Sequence, residues 1–89
     1  MRVYMRIKGR VQGVGFRFFV SETAQNMSLT GWVRNLPDGG VDAEAQGGEK
    51  NIEAALKKIQ SGHPWARVDK ISSEKIPDRS GETGFEIRP

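Results

Sequence analysis

Val3, Met5 and Ile7 alternate with Arg2, Tyr4, Arg6 and Lys8, and a period of two turns one face of a strand toward a core. That strand ends at Gly9. After a short glycine-rich run, Phe16, Phe19 or Val20, Ala24 and Met27 recur at helical spacing, predicting a helix that fades near Asn26. Thr30 to Asn35, carrying Trp32 and Val33, reads as a second strand. Leu36-Pro37-Asp38-Gly39 is a turn, because proline presets the first corner and glycine tolerates a left-handed exit. Val41, Ala43 and Ala45 then alternate with Asp42, Glu44 and Gln46, so a third strand pairs with the second as a hairpin. Asp42 and Glu44 are expected on a solvated outer face.

Gly47 and Gly48 interrupt the third strand. Ile52, Ala55, Leu56 and Ile59 follow at i, i+3, i+4 and i+7, a second helix with one apolar stripe. Lys57 and Lys58 complement the dipole near its end, and Gly62 with Pro64 stops it. Val68 to Ile76 makes a fourth strand of poor alternation, Pro77 to Gly84 a polar loop, and Phe85 with Ile87 a short last strand. The order β-α-β-β-α-β plus a short strand predicts an α+β fold, the ferredoxin-like split β-α-β sandwich. Its sheet of four to five strands should be mostly antiparallel, with two helices on one face. A right-handed crossover through the first helix makes strands 1 and 2 parallel. Their C-terminal ends then share one edge of the sheet, where ligands tend to bind.

Composition narrows the class. At 89 residues the chain is expected to form a single domain, 1–89, with one core. Hydrophobic residues at 36% and charged residues at 28% fit a soluble globular protein rather than a disordered one. The net charge of +3 suits anionic ligands, but the charges are interspersed, so nucleic acid does not follow from it. Cysteine is absent, which removes disulfides, thiol nucleophiles and thiolate metal sites. No secretory signal or membrane-length apolar run is visible, so the expectation is a cytoplasmic protein without a membrane partner.

Candidate chemistry gathers between Gly9 and Phe19. Glycines at 9, 13 and 15 allow positive φ, and no proline removes an N–H from Arg10 to Arg17. Successive N–H groups in such a turn can curl around an oxyanion, and the helix that follows adds its own unpaired N–H groups. Arg17 falls in the first helical turn, where a cation is ordinarily unfavourable by roughly 0.3–1 kcal/mol. A bound anion would reverse that sign. Asn35 closes strand 2 at the same sheet edge, so one arginine, a ring of amides and one carboxamide should converge. Gln12 is a further residue able to orient the loop.

Gly9-Arg10-Val11-Gln12-Gly13-Val14-Gly15-Phe16-Arg17 resembles the first signature of the acylphosphatases, G-x-V-Q-G-V-x-[FY]-R. Gly31-Trp32-Val33-Arg34-Asn35, with Gly39, Val41 and Gly47 behind it, resembles the second. The resemblance implies hydrolysis of the carboxyl–phosphate anhydride of acyl phosphates without metal or cofactor. It implies Arg17 as the phosphate-binding arginine, Asn35 as the water-orienting asparagine, and a phosphate loop formed by the amides of Gln12, Gly13, Val14, Gly15 and Phe16. The expected partners are small acyl phosphates and inorganic phosphate, with no nucleic acid and a monomeric chain. Gly40, the His63 to Trp65 stretch and Pro89 depart from what is frequent in the family, which bears on the rim of the site.

Plainer assignments compete at several positions. His63 reads as a loop residue, Phe16, Phe18 and Phe19 as core and helix packing, although Phe18 points away from the main stripe, and Trp32 and Trp65 as either packing or rim. Gly13-Val14-Gly15-Phe16-Arg17-Phe18-Phe19 superficially resembles the aromatic strand motif of RNA-binding modules of the RRM type, which share this order of elements. That motif belongs on a third strand, whereas here it enters a helical pattern. A non-catalytic domain of the same fold is the remaining alternative.

Overall fold

A computed structural model describes residues 1–89. Its elements are β1 (Arg2–Arg10), α1 (Phe16–Asn26), β2 (Thr30–Asn35), β3 (Val41–Gln46), α2 (Glu49–Ser61), β4 (Arg67–Ile76) and β5 (Phe85–Ile87). The five strands form one sheet in the order β4-β1-β3-β2-β5. Every pairing is antiparallel except β2 with β5, which is parallel. Because β1 and β2 both run against β3, they are parallel to each other. The register sets Ile7, Val41 and Asn35 side by side across three strands. The exit of β1 and the end of β2 therefore share one edge.

Alternation builds the core. Val3, Met5 and Ile7, Val33, and Val41, Ala43 and Ala45 face Phe16, Val20 and Ala24 of α1 and Ile52, Ala55 and Ile59 of α2. Each fully buried Val, Ile or Phe contributes about 1.5–3 kcal/mol, so this face rather than helix propensity holds the two helices. β4 alternates poorly because it is an edge strand, half-covered at Val68, Ile71 and Ile76 and exposed elsewhere. Its pairing with β1 shifts register between Lys8 and Gly9. β1 runs on through Arg10, one residue past the end predicted at Gly9. A Cβ at Gly9 would run into the carbonyl oxygen of Arg67, so the glycine serves close approach of the strands.

The opposite face of the sheet differs from expectation. Asp42 is 1% exposed and Arg2 1%, where alternation alone predicts solvated positions. Asp42 accepts from the Tyr4 hydroxyl at 2.9 Å and from both arms of Arg34 at 2.9 and 3.1 Å. Arg2 donates to Glu44 at 2.7 Å and forks onto Glu82 at 2.7 and 3.2 Å. The physical reason is the polar loop after β4, which brings Glu82 across this face and covers Arg2. The Arg2 guanidinium in turn holds the Glu82 carboxyl below its usual range. Trp32 lies buried on this same face, with the guanidinium carbons of Arg34 and Arg88 at 5.1 and 4.5 Å from its ring centre. Trp32 thus packs, and Trp65 stands 77% exposed in the α2–β4 loop.

Candidate active site

The loop from β1 to α1 is pinned at both ends by apolar side chains. Val11 and Phe16 are each 1% exposed, so the residues between them arch over the sheet edge. Gly13 and Gly15 take left-handed φ angles of 77° and 74° on either side of Val14. An L-residue in that region costs roughly 1–2 kcal/mol, which is why glycine sits at these two positions. Gly15 is also the N-cap of α1 and contributes no side-chain cap. The first backbone bond here joins the Phe19 N–H to the Gly15 carbonyl at 3.1 Å, and the N–H groups from Gly13 to Phe18 have no backbone acceptor. No acidic residue stands in the first turn of α1 to offset the dipole.

Arg17 adds a full positive charge at that end. Its Nη1 donates to the carbonyl oxygen of Arg88 at 2.6 Å. Arg88 is itself fixed by its own N–H, which donates to the Val33 carbonyl at 2.8 Å, and by its stacking on Trp32. One arm of the guanidinium is therefore held by main chain just after β5, and a guanidinium has five donors to distribute. This role of residue 88 has no signal in the sequence. It arises because β5 lies beside β2, which follows from sheet order and not from local pattern.

Gln12 ties the loop to the β2–β3 turn. Its Nε2 donates to the carbonyls of Leu36 at 2.7 Å and Gly40 at 2.8 Å. The turn is braced in its own right: the Gly40 N–H donates to Asp38 at 2.8 Å, and Arg6 reaches the other Asp38 oxygen at 2.6 Å. The Gly40 N–H and then Arg6 hold the Asp38 carboxyl below its ordinary value. A glutamine that clips two carbonyls of a neighbouring turn fixes the loop's position.

Between these parts lies a pocket of about 250 Å³. Gly13, Gly15, Phe16, Arg17 and Asn35 all line it, so the arginine, the loop and the carboxamide meet there. Gln12 and Val14 do not line it; their side chains are half-buried beside it. The Phe16 ring belongs to the core, which leaves its backbone to the pocket. Phe18 is 64% exposed, in keeping with its place off the apolar stripe of α1, and with Ile87 it lines the pocket, a pairing that local pattern does not reveal. A pocket of about 250 Å³ has room for a phosphoryl group.

The remaining candidates fall elsewhere. His63 Nδ1 accepts from the Trp65 and Ala66 N–H groups at 3.2 and 3.1 Å, so it caps its own loop. Its ring meets Phe19 edge-on at 5.2 Å. The aromatic residues of the RRM-like run sit on α1 or beneath it, not on an open sheet face.

The acylphosphatase family model matches residues 3–87. An acylphosphatase of Clostridium beijerinckii is 44% identical over 82 residues, covering 92% of this chain and 91% of that one. One from Thermococcus kodakarensis is 42% identical over 87 residues, covering 98% and 94%. Among solved structures, acylphosphatase from Bacillus subtilis superposes with a TM-score of 0.94 at 35% identity, covering 99% of this chain and 98% of that one. Full-length HypF in a phosphate- and nucleotide-bound form gives 0.86 at 33% identity, but there the match spans only 12% of the longer chain.

Proposed function

This chain belongs to the acylphosphatase family, and we propose that Arg17, the loop amides and Asn35 carry out its hydrolysis of acyl phosphates. The supporting observation is that Arg17 and Asn35 line one pocket whose floor is the uncapped start of α1. The phosphoryl group lies against the guanidinium and the N–H groups of residues 12 to 16. Charge-assisted bonds from a planar fork hold its oxygens, and the charge spread over them in a loose transition state is stabilised where it develops.

The leaving group sets what else is needed. A carboxylate, with a pKa near 4, departs without a proton from an acid. The Asn35 carbonyl accepts a hydrogen bond from water and aims its oxygen at phosphorus. A neutral amide cannot take the proton, so a phosphate oxygen of the substrate takes it as the new P–O bond forms and the bond to the carboxylate breaks. The products are a carboxylate and inorganic phosphate. Nothing in this scheme asks for a metal. All groups it uses come from one chain, which suits a monomer, and no helix is long and apolar enough to cross a membrane.

Hydrolysis of acetyl phosphate in EDTA tests the scheme, wild type against Asn35→Ala. The variant should lose on the order of 10²-fold in kcat, as misplaced reactants do, while inhibition by inorganic phosphate stays near its wild-type value. Loss of phosphate binding in Asn35→Ala would assign that residue to anion binding and overturn its role with water. Wild-type activity abolished by EDTA would overturn the metal-free route.

A further inference from the structure

A second depression, of about 380 Å³, opens between α1 and β5 next to the phosphate pocket. Its helical wall is Phe18, Ser21, Glu22 and Gln25, the i, i+3, i+4 and i+7 positions of one helix face. Seven rises of about 1.5 Å from Phe18 to Gln25 give that wall a length of about 10 Å. Its strand wall carries Phe85 and Ile87. Phe18 and Ile87 line both cavities, so the groove continues the pocket rather than standing apart from it.

Three large apolar side chains of this protein are exposed, and two of them, Phe18 at 64% and Ile87 at 42%, meet at this shared wall. Paired apolar side chains left in water beside a polar site mark a binding surface. Farther along the groove, Gln25 donates to the Ser21 hydroxyl at 2.9 Å, so those two polar groups engage each other. The end nearest the phosphate is thus the apolar end.

In-line displacement gives the groove its occupant. The attacking water and the departing carboxylate lie on opposite sides of phosphorus. Asn35 lines the pocket but not the groove. Ile87 pairs with Val33, two residues before Asn35 on β2, so it stands roughly 7 Å back from the sheet edge where Asn35 holds water. A group leaving away from Asn35 meets the groove, which adjoins the pocket at Phe18 and Ile87 and which Asn35 does not line.

We infer that the groove between α1 and β5 is the acyl subsite, with Phe18 and Ile87 selecting aromatic and bulky aliphatic acyl phosphates over acetyl phosphate. This rests on the acyl phosphate function proposed above. The test is the ratio of kcat/KM for benzoyl phosphate to that for acetyl phosphate, measured for wild type, Phe18→Ala and Ile87→Ala. Alanine is the best helix former, so Phe18→Ala at an exposed helical position keeps the fold. The ratio should fall about fivefold in Phe18→Ala, or about 1 kcal/mol at 1.4 kcal/mol per tenfold, the worth of one aromatic contact. Ile87→Ala should lower it about two- to threefold, carried mainly by KM for benzoyl phosphate. A wild type that hydrolyses both compounds with a ratio unchanged in Phe18→Ala overturns the subsite alone. A wild type that hydrolyses neither overturns the function itself.

Discussion

α1 and α2 lie on the same face of one sheet, and each starts after a glycine without a side-chain cap. There the similarity ends. Gly48, ahead of α2, is extended at φ −64° and ψ 142°, Glu49 occupies the first turn and Lys58 the last. Both ends of that dipole are answered within the helix. Gly15, ahead of α1, is left-handed at φ 74°, and α1 has neither an acid in its first turn nor a base in its last. Arg17 stands where a carboxylate would be expected. The difference teaches that α2 answers its own dipole and packs, whereas α1 packs along one stripe and leaves its positive end unanswered, as the proposed anion site requires.

Removing the charge should break the contrast most strongly. Arg17→Gln is expected to lower kcat on benzoyl phosphate by 10²–10³-fold or more, by comparison with loss of one oxyanion donor. Arg17→Lys should fail too, since lysine keeps the charge but not the fork that reaches Arg88 and phosphate at once. Thermal unfolding supplies a second measure. Phosphate at a hundred times its Kd should stabilise wild type by about 2.7 kcal/mol and leave Arg17→Gln unmoved.

The two glycines that open the helices give the next largest effect. Gly15→Ala should cost about 1–2 kcal/mol in urea unfolding, because the strain is conformational and no neighbour lies within 4 Å to relieve or worsen it. Gly48→Ala, at a backbone geometry any residue adopts, should stay within about 0.5 kcal/mol. Equal costs would erase the distinction between the two helix starts. Smaller still, Glu49→Gln should lower stability by about 0.3–1 kcal/mol with kcat unchanged.

Acid sharpens the contrast last. The Gly40 N–H and Arg6 depress the Asp38 carboxyl in the folded chain. A depressed folded value means that its stabilisation is present above the unfolded value near 4 and is lost as pH falls through the folded value. Asp38 braces the turn that receives Gln12, so acid acts on the α1 side of the molecule. Unfolding measured from about pH 5 downward should show a shallower acid limb in Asp38→Asn than in wild type.

Local pattern carried much of the fold. Val3, Met5 and Ile7 marked their strand, the Ile52 to Ile59 stripe marked α2, and Leu36-Pro37-Asp38-Gly39 marked the hairpin turn, because each is a short-range signal of period or turn chemistry. The same periodicity misplaced Asp42 and Arg2, since alternation assigns a face but not what will cover it. Phe18 stands off the apolar stripe of α1 and is exposed, as helical spacing implies; what local pattern hid was that it shares a wall with Ile87.

By itself the sequence determined the elements, their order, the left-handed glycines and the arginine at a helix start, all set by interactions within a few residues. Only the tertiary structure decided that Arg88 holds Arg17, that Gln12 clips the β2–β3 turn, and that Phe18 and Ile87 share a wall. Those contacts join residues 24 to 71 positions apart. The contacts to Arg88 and Ile87 exist because β5 adds to the sheet beside β2, and the Gln12 clip because β1 and β2 end at one sheet edge; no local propensity encodes which strand edge a segment will choose.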